Sequence, residues 1–135
     1  MEYWIFPVNP DLFDTRNAFR DLNTVHWQQG RIVSINIGDI AFIYESKPTK
    51  GIIMKTEVVS KNEYGSDIDV NRYSIGNNRF TAPWLKLKLI SEFSSPIPLN
   101  LLNEHGLKGN IQTKRRLDYE IVSALNLLRM HVVIY

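Results

Sequence analysis

The sequence predicts an α+β domain, a curled and mostly antiparallel sheet with short helices at its flanks. Three observations carry that expectation. Trp84 to Ile90 alternates strictly, with Leu85, Leu87 and Leu89 on one face and Trp84, Lys86 and Lys88 on the other, which is the period of a strand. Ile40-Ala41-Phe42-Ile43-Tyr44 is a short apolar run behind the turn pair Gly38-Asp39, as a central strand would be. Ile121, Leu125 and Leu128 repeat at helical spacing near the end of the chain.

The remaining elements follow in order. Met1 to Val8 reads as a buried strand, because Tyr3, Trp4, Ile5, Phe6 and Val8 are β-favouring and apolar on both faces. Asn9-Pro10 ends it with a turn signal. Asp14 is placed to cap a short helix through about Leu22, with Ala18, Phe19 and Leu22 on one face. Val25 to Gln29 is a short extended or irregular piece carrying His26 and Trp27. After the central strand, Ser46 to Lys50 is a polar loop and Gly51 to Ser60 the next strand, broken by polar residues from Asn62 to Ser66. Short strands are expected at Asp69 to Ile75 and Phe80-Thr81, around the turn Gly76-Asn77-Asn78. Ser95-Pro96 and Pro98 open a short helix containing Leu99 and Leu102, with Gly106 one position beyond its C-cap. Leu107 to Arg116 is a loop rich in Lys, Arg, Gly and Asn, Asp118 begins the last helix, and His131 to Tyr135 turns apolar and β-like. No repeat, low-complexity segment or linker divides the chain, so residues 1–135 are read as a single domain.

Composition narrows the functional classes. A hydrophobic share of 44% with 22% charged residues excludes disordered and collagen-like chains. The absence of cysteine excludes disulfides and thiolate metal sites and makes the cytoplasm the expected compartment. Met1 to Val8 is too short for a signal peptide, and no apolar run approaches the roughly 18 residues of a membrane helix, so no membrane partner is expected. A net charge of +2 and a pI near 8.9 permit a nucleic-acid partner without demanding one.

Catalytic signatures are missing. His26, His105 and His131 are far apart, and neither a phosphate-cradling Gly-rich loop nor a G-x-S-x-G elbow occurs. Asp67 and Asp69 would share a strand face, yet a solvated loop edge is the plainer reading. The expectation is therefore a binding module with no catalytic residue, no metal and no cofactor.

The order of motifs resembles an EVE domain, a PUA-like β-barrel related to the YTH readers. The residues that carry this are Tyr3-Trp4-Ile5-Phe6-Pro7-Val8-Asn9-Pro10, then Trp27, then Ile37-Gly38-Asp39-Ile40-Ala41-Phe42-Ile43-Tyr44, then Gly51-Ile52-Ile53. The later segments Pro98-Leu99-Asn100-Leu101-Leu102, Gly106-Leu107-Lys108 and Gln112-Thr113-Lys114-Arg115-Arg116 resemble the end of the EVE-type domain at the N-terminus of some modification-dependent restriction proteins. Compared with YTH domains, Asn9 and Trp27 fall on pocket positions, a polar reader and a cage wall. The pattern departs from YTH in two places: Trp84 stands at a longer interval than their second cage Trp, and Asn9 is followed by Pro10 rather than a second polar residue.

The resemblance implies a reader of a modified base, with the base flipped into an aromatic pocket. Stacking on aromatic rings contributes roughly 1–3 kcal/mol per base, which offsets the few kcal/mol that flipping costs. The implied pocket residues are Asn9, Trp27, Gln28, Tyr44 and Trp84. The implied contacts to the nucleic-acid backbone are Lys47, Lys50, Lys108, Lys114, Arg115 and Arg116, which position a strand without reading its sequence. Each has a plainer alternative. Trp27 would close the core under the first helix, Asn9 would make an Asx turn, Trp84 would turn inward at a bulge, and the basic residues would be solvated loop. Trp4 and Phe6 read as core. The implied partner is modified double-stranded DNA, with RNA as the alternative, and a nuclease or NTPase domain or subunit would supply cleavage in a defence complex. Two rivals stand beside it: a small-molecule-binding or hydrolytic domain of similar shape, and an interaction domain acting through the apolar tail.

Overall fold

The structure is a computed structural model and describes residues 1–65, 69–76 and 80–132, with their side chains save those of 69–70 and 126–132. The elements run β1 (Tyr3–Val8), α1 (Thr15–Asp21), β2 (Val25–Gln28), β3 (Ile40–Glu45), β4 (Gly51–Glu63), a 3-10 turn (Asp69–Tyr73), β5 (Trp84–Pro98), α2 (Leu99–Glu104), β6 (Arg115–Arg116) and α3 (Tyr119–Val132). Six strands form one sheet in the order β2-β5-β4-β3-β1-β6, a curled half-barrel of the PUA-like α+β class.

All pairings are antiparallel except β1 with β3, where Ile5 lies opposite Phe42. That pair is parallel because the chain passes through α1 and β2 before it returns, a connection long enough for a crossover. The curl comes from β4 and β5. They are 13 and 15 residues long, and their register shifts at four places; each extra residue bends the ribbon and adds twist. At the far end of this ribbon β5 crosses directly over Gly51, where a Cβ would stand 2.8 Å from the Ile97 carbonyl oxygen. Only glycine lets the two strands approach there, which accounts for the glycine at the head of β4.

The Gly38-Asp39 pair works as a staple. Gly38 turns the chain at φ +96°, a region that L side chains avoid. The fully buried Asp39 carboxylate then accepts bonds from the Glu2 amide (2.9 Å), the Asn36 amide (2.8 Å) and the Trp4 indole (3.0 Å). Burial pushes its pKa up, but the three donors and the nearby N-terminus outweigh it and hold the carboxyl below the ordinary range. Asp39 thus ties the start of β1 to the start of β3.

Apolar residues fill two cores, one on each face of the sheet. The first holds Trp4, Phe6, Phe13, Phe19, Trp27 and Trp84 with aliphatic neighbours. The second holds Ile5, Phe42 and Ile52 under Leu102 of α2 and Ile121 and Leu125 of α3. Trp4 and Phe6 are core as expected, at 4% and 0% exposure. Asp14 caps α1 through its carboxylate and the Asn17 amide, Pro98 precedes α2, and Gly106 follows the His105 C-cap.

Several expectations change. β5 continues past Ile90 to Pro98, because Phe93 and Ile97 still find cover in the second core. Val25 to Gln28 is a regular strand on the β5 edge, and β4 runs on to Glu63. Asp69–Tyr73 is a 3-10 turn rather than a strand; Tyr73 is buried and its hydroxyl donates to Asp21 at 2.9 Å, anchoring a compact turn, and only Ser74 bridges to Phe13. Phe80 and Thr81 lie outside any strand. Arg115 and Arg116 leave the expected loop and pair with Ile5 and Trp4. His131 and Val132 extend α3 instead of forming an extended tail. Asp67, Asn77, Asn78 and Val133 to Tyr135 lie outside the described residues, as does the Leu128 side chain.

Candidate base-binding cleft

The first core opens to the surface at one end. There the end of β1 and the turn after it (Pro7 to Asn9, then Leu12 and Phe13) face His26, Trp27 and Gln28 of β2. Phe80, Trp84 and Lys114 complete a cleft of about 190 Å³. That is below the roughly 300–1,000 Å³ of sites for drug-sized ligands and suits one small planar ring.

Aromatic rings build its floor. Trp27 meets Phe13 edge-on at 5.8 Å and tilts against Phe19 at 6.3 Å. Phe13 meets Phe80 edge-on at 5.8 Å, and His26 meets Trp84 edge-on at 6.2 Å. These perpendicular contacts suit the ring quadrupoles and hold each plane at a set angle. Trp27 is 8% exposed and Trp84 4%, so each shows the cleft only a small part of its surface. Trp84 is therefore an inward ring that also borders the cleft. Its register opposite Gln28 does place it on the face of Lys86, as the alternation implied. His26, from the neighbouring strand, covers it.

The polar groups sit at the rim. Asn9 makes the Asx turn, its amide oxygen accepting from the Asp11 amide at 2.9 Å, and it also borders the cleft; the two readings of this residue are compatible. Gln28 reaches Thr81 only at 3.4 Å, a bond at the edge of useful length. His26 lies 3.3 Å from Glu63, which also draws Lys86 to 3.7 Å. The Ser60 side chain's hydrogen bond lowers the Glu63 pKa, burial opposes it, and His26 and Lys86 lower it further, so the carboxylate stays charged. Lys114 stands half-buried in the cleft wall with its ammonium 5.7 Å from the Phe6 ring centre, and burial pushes its pKa down.

Four of the five anticipated pocket residues therefore converge: Asn9, Trp27, Gln28 and Trp84. Tyr44 does not join them. It is 2% exposed, burial pushes its phenol up, and it borders a second, larger depression of about 500 Å³. The position at the end of β3, beside the 46–50 loop, aims it there. Asn9 borders both depressions, and Lys47 and Lys50 flank the second. The 46–50 loop is rooted by Glu45, which is bound to Arg16 at 2.8 Å and accepts from Thr49. Lys108, Arg115 and Arg116 border neither depression. Arg115 donates to the Lys108 carbonyl at 3.0 Å, and Arg116 lies over the Trp4 ring at 5.2 Å.

Phe13, Phe80, His26 and the inward position of Lys114 were not foreseen. Phe13 had one available signal, its place just beyond the Asn9-Pro10 turn. Lys114 had none, because its placement depends on β6 pairing with β1 across more than a hundred residues of chain. Among the described residues no cluster of His, Asp or Glu is arranged to hold a metal ion, and no helix is long and apolar enough to cross a membrane.

Comparison with known proteins places this architecture. No curated protein matches the chain. Rpa0253 from Rhodopseudomonas palustris shares 13% identity and superposes with a TM-score of 0.68 over 97% of this chain and 94% of its own. PSPTO5229 from Pseudomonas syringae shares 20% identity, with a TM-score of 0.65 over 94% and 99%. ASCH from Zymomonas mobilis shares 15% identity, with a TM-score of 0.61 over 94% and 95%. At these identities the likeness concerns the fold alone. The EVE domain family model matches residues 2–124, and the chain belongs to the EVE domain family.

Proposed function

We propose that this domain reads a modified base in double-stranded DNA by receiving the flipped base in the cleft between β1, β2 and the head of β5. The observation that carries the reading is the convergence of Asn9, Trp27, Gln28 and Trp84, from three separate stretches of chain, on one cleft of single-ring size. The aromatic floor would stack on the base and keep water from an added group. The amides at the rim have both donors and acceptors, as a base edge requires. Lys47 and Lys50 would hold phosphates of the flanking strand beside the second depression, with Lys108, Arg115 and Arg116 as outlying basic contacts. The domain acts without chemistry of its own, as the targeting part of a cytoplasmic defence complex with a nuclease or NTPase domain or subunit as partner, and the associated nuclease cuts.

The test is fluorescence-polarisation binding to one duplex in unmodified, 5-methylcytosine and N6-methyladenine forms at fixed moderate salt, with a matched RNA as control. Phosphate contacts set a salt-dependent baseline common to all duplexes, so the ratio of modified to unmodified affinity is the readout. A ratio of about tenfold for one modification is expected, the size of one good base contact. Equal affinity for every duplex would remove the reader assignment, and tighter binding to the RNA would move it to that polymer.

A further inference from the structure

We infer that Lys114 faces the base rather than a phosphate, and that it selects a base bearing an anionic or oxygen-rich substituent over one bearing a plain methyl group. The inference rests on the reader assignment above and names the chemistry of its ligand. Lys114 borders the same cleft as Trp27 and Trp84. Its only close partner among the described residues is the Phe6 ring, 5.7 Å away, and no carboxylate pairs with it. A ring face attracts a cation but accepts no hydrogen bond in the ordinary sense, so the three ammonium donors still require acceptors. The cost of placing them there shows in the depressed pKa.

The rest of the cleft has the same bias. None of its lining residues is acidic. Asn9 has committed its amide oxygen to the Asp11 amide, which leaves its NH2 group for a ligand. A cage for a methyl group alone is best lined by apolar surface, and a half-buried ammonium there loses solvation without return. A carboxylate or hydroxyl on the base would supply the missing acceptor at the place where the charge is already held. Lys114 is also fixed to the floor of the domain, since Arg115 and Arg116 pair with Ile5 and Trp4 immediately after it.

The experiment uses the 135-residue chain and four duplexes that differ at one position: cytosine, 5-methyl-, 5-hydroxymethyl- and 5-carboxylcytosine. Affinities are measured by fluorescence polarisation at several salt concentrations, for the wild type, Lys114→Met and Lys114→Arg. The expected order is carboxyl, then hydroxymethyl, then methyl, with carboxyl about tenfold or more above methyl, as one hydrogen bond to a charged group would give. Lys114→Met should lose that preference, the carboxyl and hydroxymethyl duplexes weakening far more than the methyl duplex, while Lys114→Arg keeps the preference. A wild type that favours methyl, or makes no distinction among the three modified duplexes, overturns the inference and leaves the reader assignment standing. So does a Lys114→Met that weakens all duplexes equally with a salt slope smaller by about one, the signature of a phosphate contact. A wild type that binds all four duplexes alike removes the reader assignment itself, and this inference with it.

Discussion

The two faces of the sheet differ in composition and in closure. The core on one side holds Trp4 and Trp27 with Phe13 and Phe19, and opens at its end into the cleft, where Trp84 from the strand end joins it. The other is mainly aliphatic, covered by α2 and α3, with Leu102 and Leu125 almost wholly enclosed. An aliphatic core can be filled by repacking branched chains, and it holds no particular plane in place. Large rings in edge-on contact hold planes at set angles, which a stacking site needs. The same sheet thus has a face that supplies stability and a face that supplies both stability and a shaped opening.

The largest expected effects come from truncating one large side chain on each face. Leu125→Ala should cost about 2–5 kcal/mol and Trp27→Ala about 3–5 kcal/mol in chemical denaturation. A ring 8% exposed and packed on Phe13 and Phe19 is core as well as cleft, so its loss costs stability too. The faces separate in the binding measurement. Folded Leu125→Ala should keep the preference for modified DNA, and folded Trp27→Ala should lose it. Loss of preference in both variants would mean that the cleft is shaped by the whole domain and that the contrast between the faces is false.

The Asp39 staple sits between the faces, and its expected effect is somewhat smaller. Asp39→Asn places an amide NH2 among three N–H donors and should cost about 2–3 kcal/mol at pH 7. The sign of its pH dependence follows from the lowered pKa. A carboxyl whose folded pKa lies below its unfolded value contributes stability above the ordinary Asp range, and loses it as pH falls through the folded value. Urea melts of wild type and Asp39→Asn should therefore converge over the acid window that begins at the ordinary Asp pKa near 3.9 and runs downward. A gap that stays constant over that window would show that the carboxylate's charge plays no part.

What the sequence made legible follows the same division. Period-two alternation exposed the head of β5, a Gly-Asp turn and an apolar run exposed β3, and Asp14 and Gly106 marked helix ends, because each is a local rule. The tail of β5 was hidden, since Pro96 and the polar pair Ser95 and Ser94 break the pattern while Phe93 and Ile97 are buried by distant helices. The cleft residues were legible through the order of family motifs, and not through any property of Trp27 or Gln28 themselves. Tyr44 lies away from the cleft because alternation along β3 puts it with Ile40 and Phe42 in the second core, and the sequence did not show which core would open. Lys114 looked like loop because the pairing that places β6 is purely long-range.

The smallest effect on stability should accompany a clear effect on recognition. Gln28 is half-buried at the rim, and its bond to Thr81 is long at 3.4 Å. Gln28→Ala should therefore change stability by no more than about 0.5 kcal/mol. If its amide reads the base edge, the modified-to-unmodified affinity ratio should fall about tenfold, the usual range for a lost base contact. The floor would still stack any flipped base, so absolute affinity should fall less for unmodified DNA than for the preferred duplex. An unchanged ratio in a stably folded Gln28→Ala would assign discrimination to the aromatic floor and Lys114 alone, and the open face would then read by shape and charge rather than by its amides.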